Sequence, residues 1–274
     1  MRYAVLGTPV SHSLSPALQN AAFVAAGIVA LYEARELAAE DLRSALPALH
    51  AEGFAGLNLT APLKEAVWPL LARATPEAEM LRSVNTLKRI EGGWEGHATD
   101  GLGFSAWARE LRLPLSGARV LLLGSGGAAR AVAPYLAALG ASAVTVAARD
   151  SSRAASVTAF GERRNGGTAW NAASLDAAAE DGEFDLLVRA LSVPELAAGE
   201  AAWWRRLTDA APVIDLNYGE RAEVIRRAAK ESGRPFEDGL GMLLHQGALS
   251  FTYWTGREAP LEAMRRALSR AVPG

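Results

Sequence analysis

The chain has 274 residues, half of them hydrophobic, a formal net charge of −2, no cysteine and only four histidines. This composition excludes disulfides, thiolate catalysis and cysteine-ligated zinc, and the scattered histidines predict no metal site. The balanced charge gives no reason to expect a nucleic-acid or membrane partner. No apolar run reaches transmembrane length or resembles a signal peptide, so we expect a cytoplasmic protein, long enough for two domains.

The first hundred residues alternate short apolar runs with helix-like stretches, which predicts an α/β unit. Residues 3–6 read as a buried strand, followed by a Gly-, Pro- and Ser-rich loop and a helix at 17–26. Turn residues 91–93 predict a hairpin. The remaining predicted elements are strands at 31–35, 54–59, 86–90 and 94–96, and helices at 39–52, 62–74, 76–81 and 102–111.

A glycine-rich turn dominates the second half of the chain. The apolar run 120–123 predicts a parallel strand, and a helix is predicted from Ala128 onward. Between them, Gly124 permits a tight turn, Gly126 lets a pyrophosphate approach the backbone, and the small Ala129 lets helix and strand pack closely. The strand-turn-helix context favours a dinucleotide site over an ordinary glycine-rich turn.

The next predicted strand, 143–147, ends in Ala148, Arg149 and Asp150. An NAD site usually places an acidic residue at this tip, whereas an NADP site has an arginine nearby for the 2′-phosphate. Arg149 and Arg153 therefore favour NADP, although the carboxylate of Asp150 would repel a phosphate. The alternative is that both arginines are solvated surface charges.

The rest of the second half carries weaker patterns. Residues 185–188 and 213–216 predict strands, and 169–182 predict a connecting segment. Helix-like runs follow Gly239, the last of them at 261–272. The sequence thus predicts a second α/β unit built around the glycine turn.

Four short motifs in the first half could carry chemistry. Ser13 and Ser15 could bind a small anion, although helix capping is the more usual role of such serines taken alone. Lys64 lies where a strand ends and a helix begins, and a partly desolvated lysine can act as a general acid or base. Taken alone, Lys64 is more often a solvated charge, and Asn85 and Asp100 are more often turn residues.

In combination, these motifs resemble the shikimate dehydrogenase family. The resemblance rests on Ser-His-Ser-Leu-Ser-Pro from residue 11, Asn-x-Thr-x-Pro-x-Lys from 58, Val-Asn-Thr from 84, Thr-Asp-Gly from 99, the glycine turn and Gln-Gly-Ala from 246. It implies NADPH-dependent, reversible reduction of 3-dehydroshikimate to shikimate, with a small molecule as the partner and a monomer or homodimer as the assembly. It also implies an N-terminal substrate domain, residues 1–103 completed by 242–274, and a Rossmann domain, residues 104–241.

The resemblance assigns roles to individual residues. Lys64 and Asp100 would be the catalytic pair. The substrate would contact Ser13, Ser15, Asn58, Thr60, Asn85, Tyr218 and Gln246. NADP would contact Gly124, Ser125, Gly126, Gly127, Ala128, Arg149, Arg153 and Gly239.

The chain departs from the family pattern at several positions. Gln19 replaces the usual His, Ala98 replaces an Asn, and the segment 189–194 replaces an Asn-Ala-Thr-led loop beside the cofactor. Two alternatives follow: a quinate or shikimate dehydrogenase that uses NAD, and a non-catalytic dinucleotide-binding relative. A short-chain dehydrogenase is disfavoured, because no tyrosine here has a lysine four residues later.

Overall fold

The computed structural model describes residues 1–177, 183–191, 204 and 206–272. The chain divides into two compact units, one formed by Met1–Gly103 with Leu243–Gly274 and the other by Phe104–Met242. Each unit contains a six-stranded sheet accompanied by helices, which confirms the predicted α/β class. Within the described ranges, none of the helices combines the length and apolar character that crossing a bilayer requires.

The sheet of the first unit is mixed but mostly parallel. Its order is β2-β1-β3-β5-β6-β4, with antiparallel pairing at β3–β5 and β5–β6 and parallel pairing elsewhere. The strands are β1 (Arg2–Gly7), β2 (Leu31–Glu36), β3 (Phe54–Leu59), β4 (Arg73–Ala74), β5 (Thr86–Ile90) and β6 (Gly93–His97). The helices of residues 1–110 are α1 (Ser15–Ala25), α2 (Leu42–Ala51), α3 (Leu63–Ala66), α4 (Pro76–Leu81) and α5 (Asp100–Glu110).

The predicted helix at 62–74 is wrong beyond its first turn. The helix α3 ends at Ala66, a 3-10 turn covers Trp68–Leu70, and the chain then extends into β4. Pro69 explains the break, because proline has no N–H for the helical ladder and its ring clashes with the preceding turn. Lys64 therefore lies in a single helical turn.

The sheet of the second unit is entirely parallel, in the order β12-β11-β10-β7-β8-β9. Counted within the unit, this is the 3-2-1-4-5-6 order of dinucleotide-binding sheets. Its strands are β7 (Arg119–Leu123), β8 (Ala143–Ala148), β9 (Ala169–Ser174), β10 (Leu186–Arg189), β11 (Val213–Asp215) and β12 (Phe236–Asp238). Its described helices include α6 (Gly127–Ala138), α7 (Ser151–Glu162) and α8 (Glu220–Glu231).

The strand β9 corrects the sequence prediction, which made residues 169–182 a connecting segment. Residues 169–174 pair in parallel with β8 at the edge of the sheet. The segment is rich in Ala, Asn and Ser, which have low strand propensity, and none of its side chains is fully buried, so no apolar alternation marks it. Residues 178–182 lie outside the described residues.

Two C-terminal helices complete the first unit: α9 (Leu240–Thr255) and α10 (Leu261–Ala271). The helix α9 packs closely on its neighbours through glycines. A Cβ at Gly103 would lie 2.6 Å from the backbone N of Gln246, and one at Gly56 would lie 2.4 Å from Trp254 Nε1. These close approaches bring the first turn of α5 directly against the α9 residue Gln246.

A buried ion pair joins two strand ends of the second unit. Arg189, at the end of β10, and Asp215, at the end of β11, are both fully buried, with Arg189 Nη1 3.2 Å from Asp215 Oδ2. Asp215 Oδ1 also accepts hydrogen bonds from the backbone N and the Nδ2 of Asn217. Burial raises the pKa of Asp215, and the Asn217 N–H groups and the Arg189 charge oppose that shift.

We expect Asp215→Asn to lower the free energy of unfolding by about 3–5 kcal/mol, because it removes the negative charge that faces the buried Arg189 guanidinium. Urea unfolding followed by circular dichroism measures this change. The control is Glu223→Gln, which removes half of the exposed Arg226–Glu223 pair and should cost less than about 1 kcal/mol. Equal losses in the two variants would contradict the prediction.

Candidate active site

The two residues predicted to form the catalytic pair are in direct contact. Lys64 Nζ donates to Asp100 Oδ2 at 2.6 Å, and the side chains are 19% and 10% exposed. Lys64 comes from α3, just after β3, while Asp100 begins α5, just after β6. A partly desolvated ammonium-carboxylate pair that still reaches solvent can hold and transfer a proton.

The amide of Asn85 has one possible orientation. Its Oδ1 accepts from the backbone N–H of Thr99 at 2.7 Å, and a backbone N–H can only donate. Asn85 Nδ2 therefore faces three acceptors: Asp100 Oδ1 at 2.9 Å, Thr99 Oγ1 at 2.8 Å and Gln246 Oε1 at 3.2 Å. One Asp100 oxygen is thus held by Asn85 and the other by Lys64.

Gln246 is oriented by the same logic. Its Oε1 accepts from Asn85, and its Nε2 donates to the Leu243 carbonyl at 3.0 Å. Lys64, Asp100, Asn85 and Gln246 therefore form one hydrogen-bonded cluster. Sequence reasoning selected all four residues, and the structure brings them together.

Asn58 lies beneath this cluster and is buried. Its Nδ2 lies within hydrogen-bonding distance of the Asn85 carbonyl, Thr86 Oγ1 and Ser250 Oγ, while its Oδ1 accepts from Tyr32 at 2.7 Å. The structure thus engages both ends of the Asn58 amide with protein groups. Its predicted contact with substrate stays a prediction.

Several residues of this network were missed by sequence reasoning. Thr86 and Thr99 stand inside the motifs that were recognised, but no role was assigned to them. Ser250 lies one helical turn after Gln246, and this spacing was the only feature of the sequence that could have placed it near the site. Tyr32 gave no signal, because only the folded chain brings β2 close to Asn58.

The serine loop that precedes α1 contacts the start of that helix. The residue before the helix is Leu14, which makes no side-chain cap hydrogen bond. Ser13 Oγ accepts from the backbone N–H of Ser15, the first residue of α1, at 3.3 Å, which is the kind of contact that the capping alternative expects. Thr60 packs against the start of this loop, because a Cβ at Gly7 would lie 2.3 Å from Thr60 Cγ2. The predicted contacts of Ser13, Ser15 and Thr60 with substrate stay predictions.

A carboxylate shapes this loop from the end of β2. Glu36 Oε1 accepts from the backbone N–H groups of Val10 and Ser11 at 2.8 and 3.1 Å. The hydrogen bond from Val10, followed by one from Thr8, lowers the pKa of Glu36. Sequence reasoning did not select Glu36, since nothing near residue 36 marks its partner loop.

Gln19, which replaces the family's usual histidine, is buried at the α1 face of the first unit. Its Nε2 donates to the carbonyl of Gly247 at 2.9 Å. The contact joins α1 to α9 one residue after Gln246. Gln19 therefore provides a polar link between these helices.

The glycine turn of the second unit fits a dinucleotide pyrophosphate. Gly124 has a φ of +117°, and a Cβ there would lie 2.8 Å from the Ala190 carbonyl oxygen. A Cβ at Gly126 would meet no atom of the described residues within 4 Å, so these residues leave this side of the turn open. Gly126 is the N-cap residue of α6 and makes no side-chain hydrogen bond to the helix. The helix begins with Gly127 and Ala128, and Ser125 lies in the turn before it. The helix N-terminus therefore presents N–H groups to an anion.

The tip of β8 places the predicted 2′-phosphate residues at the surface. Arg149 and Arg153 are exposed, on either side of the start of α7. Asp150 is the N-cap of α7, and its Oδ1 accepts from Ser152 Oγ at 2.6 Å and from Ser152 N at 2.9 Å. The Ser152 hydroxyl is the main reason that the pKa of Asp150 is lowered. The Asp150 carboxylate, whose charge was counted against NADP, thus accepts hydrogen bonds from the first turn of α7.

The remaining predicted positions, Tyr218 and Gly239, lie after β11 and β12. Asn217, next to Tyr218, donates its Nδ2 to the Leu191 carbonyl, and its own carbonyl accepts from Gly239 N at 2.8 Å. A Cβ at Gly239 would lie 2.2 Å from the Leu216 carbonyl oxygen, so only glycine fits. Of the altered segment 189–194, residues 192–194 lie outside the described residues.

Comparisons with known proteins agree with this arrangement. The shikimate dehydrogenase substrate binding domain matches residues 5–87, and the shikimate 5′-dehydrogenase C-terminal domain matches residues 239–268. The shikimate dehydrogenase (NADP(+)) of Geobacter metallireducens is 40% identical, covering 98% of this chain and 96% of that protein.

Solved structures show the same likeness. The shikimate 5-dehydrogenase of Thermus thermophilus in complex with NADP(H) and shikimate has a TM-score of 0.82 and 35% identity, covering 99% of this chain and 100% of that one. The ligand-free 5-ketofructose reductase of a Gluconobacter strain has a TM-score of 0.78 and 29% identity, each chain being 98% covered. The full-length identity to curated relatives and the paired Lys64 and Asp100 show that this chain belongs to the shikimate dehydrogenase family.

Proposed function

We propose that the chain catalyses the reversible, NADP-dependent reduction of 3-dehydroshikimate to shikimate, a step of aromatic amino-acid biosynthesis. The observation that carries this proposal is the contact between Lys64 and Asp100, braced by the amides of Asn85 and Gln246. Membership of the family supplies the substrate and the cofactor. The first unit then binds shikimate, and the second binds NADP.

In this reaction the protein positions the substrate and the cofactor and transfers one proton. When bound, the nicotinamide supplies or accepts the hydride. Lys64 Nζ gives a proton to the ketone oxygen as the carbon becomes an alcohol, and takes it back in the reverse direction. Asp100 keeps the ammonium in place and accepts a hydrogen bond from the substrate hydroxyl.

The other predicted contacts divide between the two ligands. Ser13 and Ser15 hold the substrate carboxylate, and Thr60, Asn58, Asn85, Gln246 and Tyr218 contact the ring hydroxyls. The turn from Gly124 to Ala128 holds the pyrophosphate, Gly239 meets the nicotinamide, and Arg149 with Arg153 meets the 2′-phosphate. We also propose a cytoplasmic location and a monomeric or homodimeric state.

An absorbance assay at the nicotinamide band tests the function. Shikimate with NADP should give the highest kcat/KM, compared with quinate and NAD in every combination. 5-Ketofructose with NADPH forms a further arm, because a reductase of that ketone shares the fold. A preference for quinate with NAD or for 5-ketofructose would replace the proposed substrate, and no turnover with any pair would support a non-catalytic role.

We expect Lys64→Ala to lower the turnover number by about 10²–10⁴-fold, the usual contribution of a positioned acid or base. NADPH binding, followed by fluorescence, should be unchanged. Asp100→Asn should also lower turnover, and the double variant should be little worse than the poorer single variant, because the pair acts as one unit. Lys230→Ala, which removes an exposed lysine at the end of α8, is the control. A turnover number near that of wild type in Lys64→Ala would show that Lys64 is not the group that transfers the proton.

We expect Arg149→Ala to raise the KM for NADP by about 10- to 100-fold, the equivalent of losing a charge-assisted hydrogen bond of about 1.5–3 kcal/mol. The KM for NAD should hardly change, because NAD lacks the 2′-phosphate. Initial rates with each cofactor measure the effect. Arg163→Ala, at the exposed end of the same helix, should leave both values unchanged. Equal increases for both cofactors in Arg149→Ala would make Arg149 a structural residue.

A further inference from the structure

Three hydroxyl groups lie together in the interior of the first unit and connect through Asn85 to the Lys64–Asp100 pair. Thr86, Thr99 and Ser250 each have no exposed surface. Ser250 Oγ lies 2.8 Å from Thr86 Oγ1 and 3.2 Å from Thr99 Oγ1, and the two threonine oxygens are 3.3 Å apart. These distances place three polar side chains in mutual contact away from water.

Ser250 is the member of this cluster that reaches the most elements. Its hydroxyl donates to the Gln246 carbonyl, one turn earlier on α9, at 3.0 Å. Since a hydroxyl carries one proton and two lone pairs, Ser250 Oγ can accept from two of its three other neighbours at a time, which are Asn58 Nδ2 at 3.1 Å and the hydroxyls of Thr86 and Thr99. Ser250 thus joins α9 to β3, to β5 and to the residue that precedes α5.

A continuous path leads from Ser250 to the acid-base pair. Thr99 Oγ1, whose own proton is directed to Ser250 or Thr86, accepts from Asn85 Nδ2 at 2.8 Å. The same Asn85 nitrogen donates to Asp100 Oδ1 at 2.9 Å. The two hydrogens of Asn58 Nδ2 also face Thr86 Oγ1, Ser250 Oγ and the Asn85 carbonyl, all within hydrogen-bonding distance. Asn85 is therefore braced by the hydroxyl cluster both through its side chain and through its backbone.

An apolar filling of this space would avoid the desolvation of three hydroxyls. The hydroxyls instead orient the side chains that they contact, because a fully satisfied buried network holds each group in one orientation. The orientation matters at Asp100, where a misplacement of about 1 Å of a reacting group can cost on the order of a hundredfold in rate.

We propose that Ser250 is a positioning residue for proton transfer. Its hydroxyl, with those of Thr86 and Thr99, fixes the Asn85 amide, and Asn85 fixes Asp100 and hence the direction of Lys64. Ser250 contacts neither ligand in this role. The inference rests on the proposed function, since it concerns the proton that the proposed reaction moves.

The test compares Ser250→Ala with wild type and with a matched control. The control, Ser269→Ala, removes an equivalent hydroxyl that donates to the carbonyl one turn earlier, Arg265 O at 3.1 Å, but at an exposed position of α10. We expect Ser250→Ala to lower kcat by about tenfold to hundredfold, with the KM for NADPH unchanged. The solvent deuterium isotope effect on kcat should increase, because the proton step is the one that is slowed. Ser269→Ala should change none of these quantities.

A second pair of variants keeps the test independent of any loss of folding in Ser250→Ala. Thr86→Val preserves the shape of the side chain without its hydroxyl, whereas Thr86→Ser preserves the hydroxyl. We expect turnover to fall in the valine variant and to be retained within about threefold in the serine variant. The double variant Ser250→Ala with Thr86→Val should be little worse than the poorer single variant, because both act on one network.

Several outcomes would overturn the inference. They are turnover within twofold of wild type in Ser250→Ala, a lower kcat with an unchanged solvent isotope effect, and equal losses in the two Thr86 variants. The second of these is what a smaller fraction of folded enzyme would produce. These outcomes differ from a failure of the proposed function, because in that case the wild-type protein itself would not turn over shikimate with NADP.

Discussion

The hydrogen bond from the Thr99 N–H to Asn85 Oδ1, 2.7 Å long, decides the arrangement of the acid-base site. Because the donor is a backbone group, the amide cannot be reversed, and its nitrogen must face Asp100, Thr99 and Gln246. The backbone of Asn85 is fixed as well, by hydrogen bonds to His97 O and from Leu59 N. The chemistry proposed for Lys64 thus depends on a strand-end geometry that the sheet itself sets.

The sequence predicted those parts of the fold where local pattern and tertiary environment agree. The apolar run of β7 and most of α6 are buried, so their residue types alone identified them on either side of the glycine turn. The prediction failed at β9, because an edge strand with exposed Ala and Asn carries no apolar period. It also failed at 62–74, where Pro69 ends the helix although the apolar pattern continues.

The candidate site divides in the same way. Lys64, Asp100, Asn85 and Gln246 stand in motifs that together resemble a known family, so they could be selected before the fold was known. Their supports could not, because the contacts join distant parts of the chain: Ser250 meets Thr86 across 164 residues and Glu36 meets Val10 across 26. A buried serine in a helix, or a glutamate at a strand end, has no local feature that reveals such a partner.

A carboxylate lies beside each proposed anion-binding loop, where simple charge counting would place it in conflict with an anionic ligand. In each case the carboxylate accepts hydrogen bonds from the loop or from the helix that follows it. Glu36 accepts from the N–H groups of Val10 and Ser11, and Asp150 accepts from Ser152. These donors lower the pKa of each carboxyl, so the negative charge is present and fixes the backbone. The loop shape that presents Ser13, or Arg149, therefore depends on an acid that sequence reasoning either overlooked or counted against the ligand.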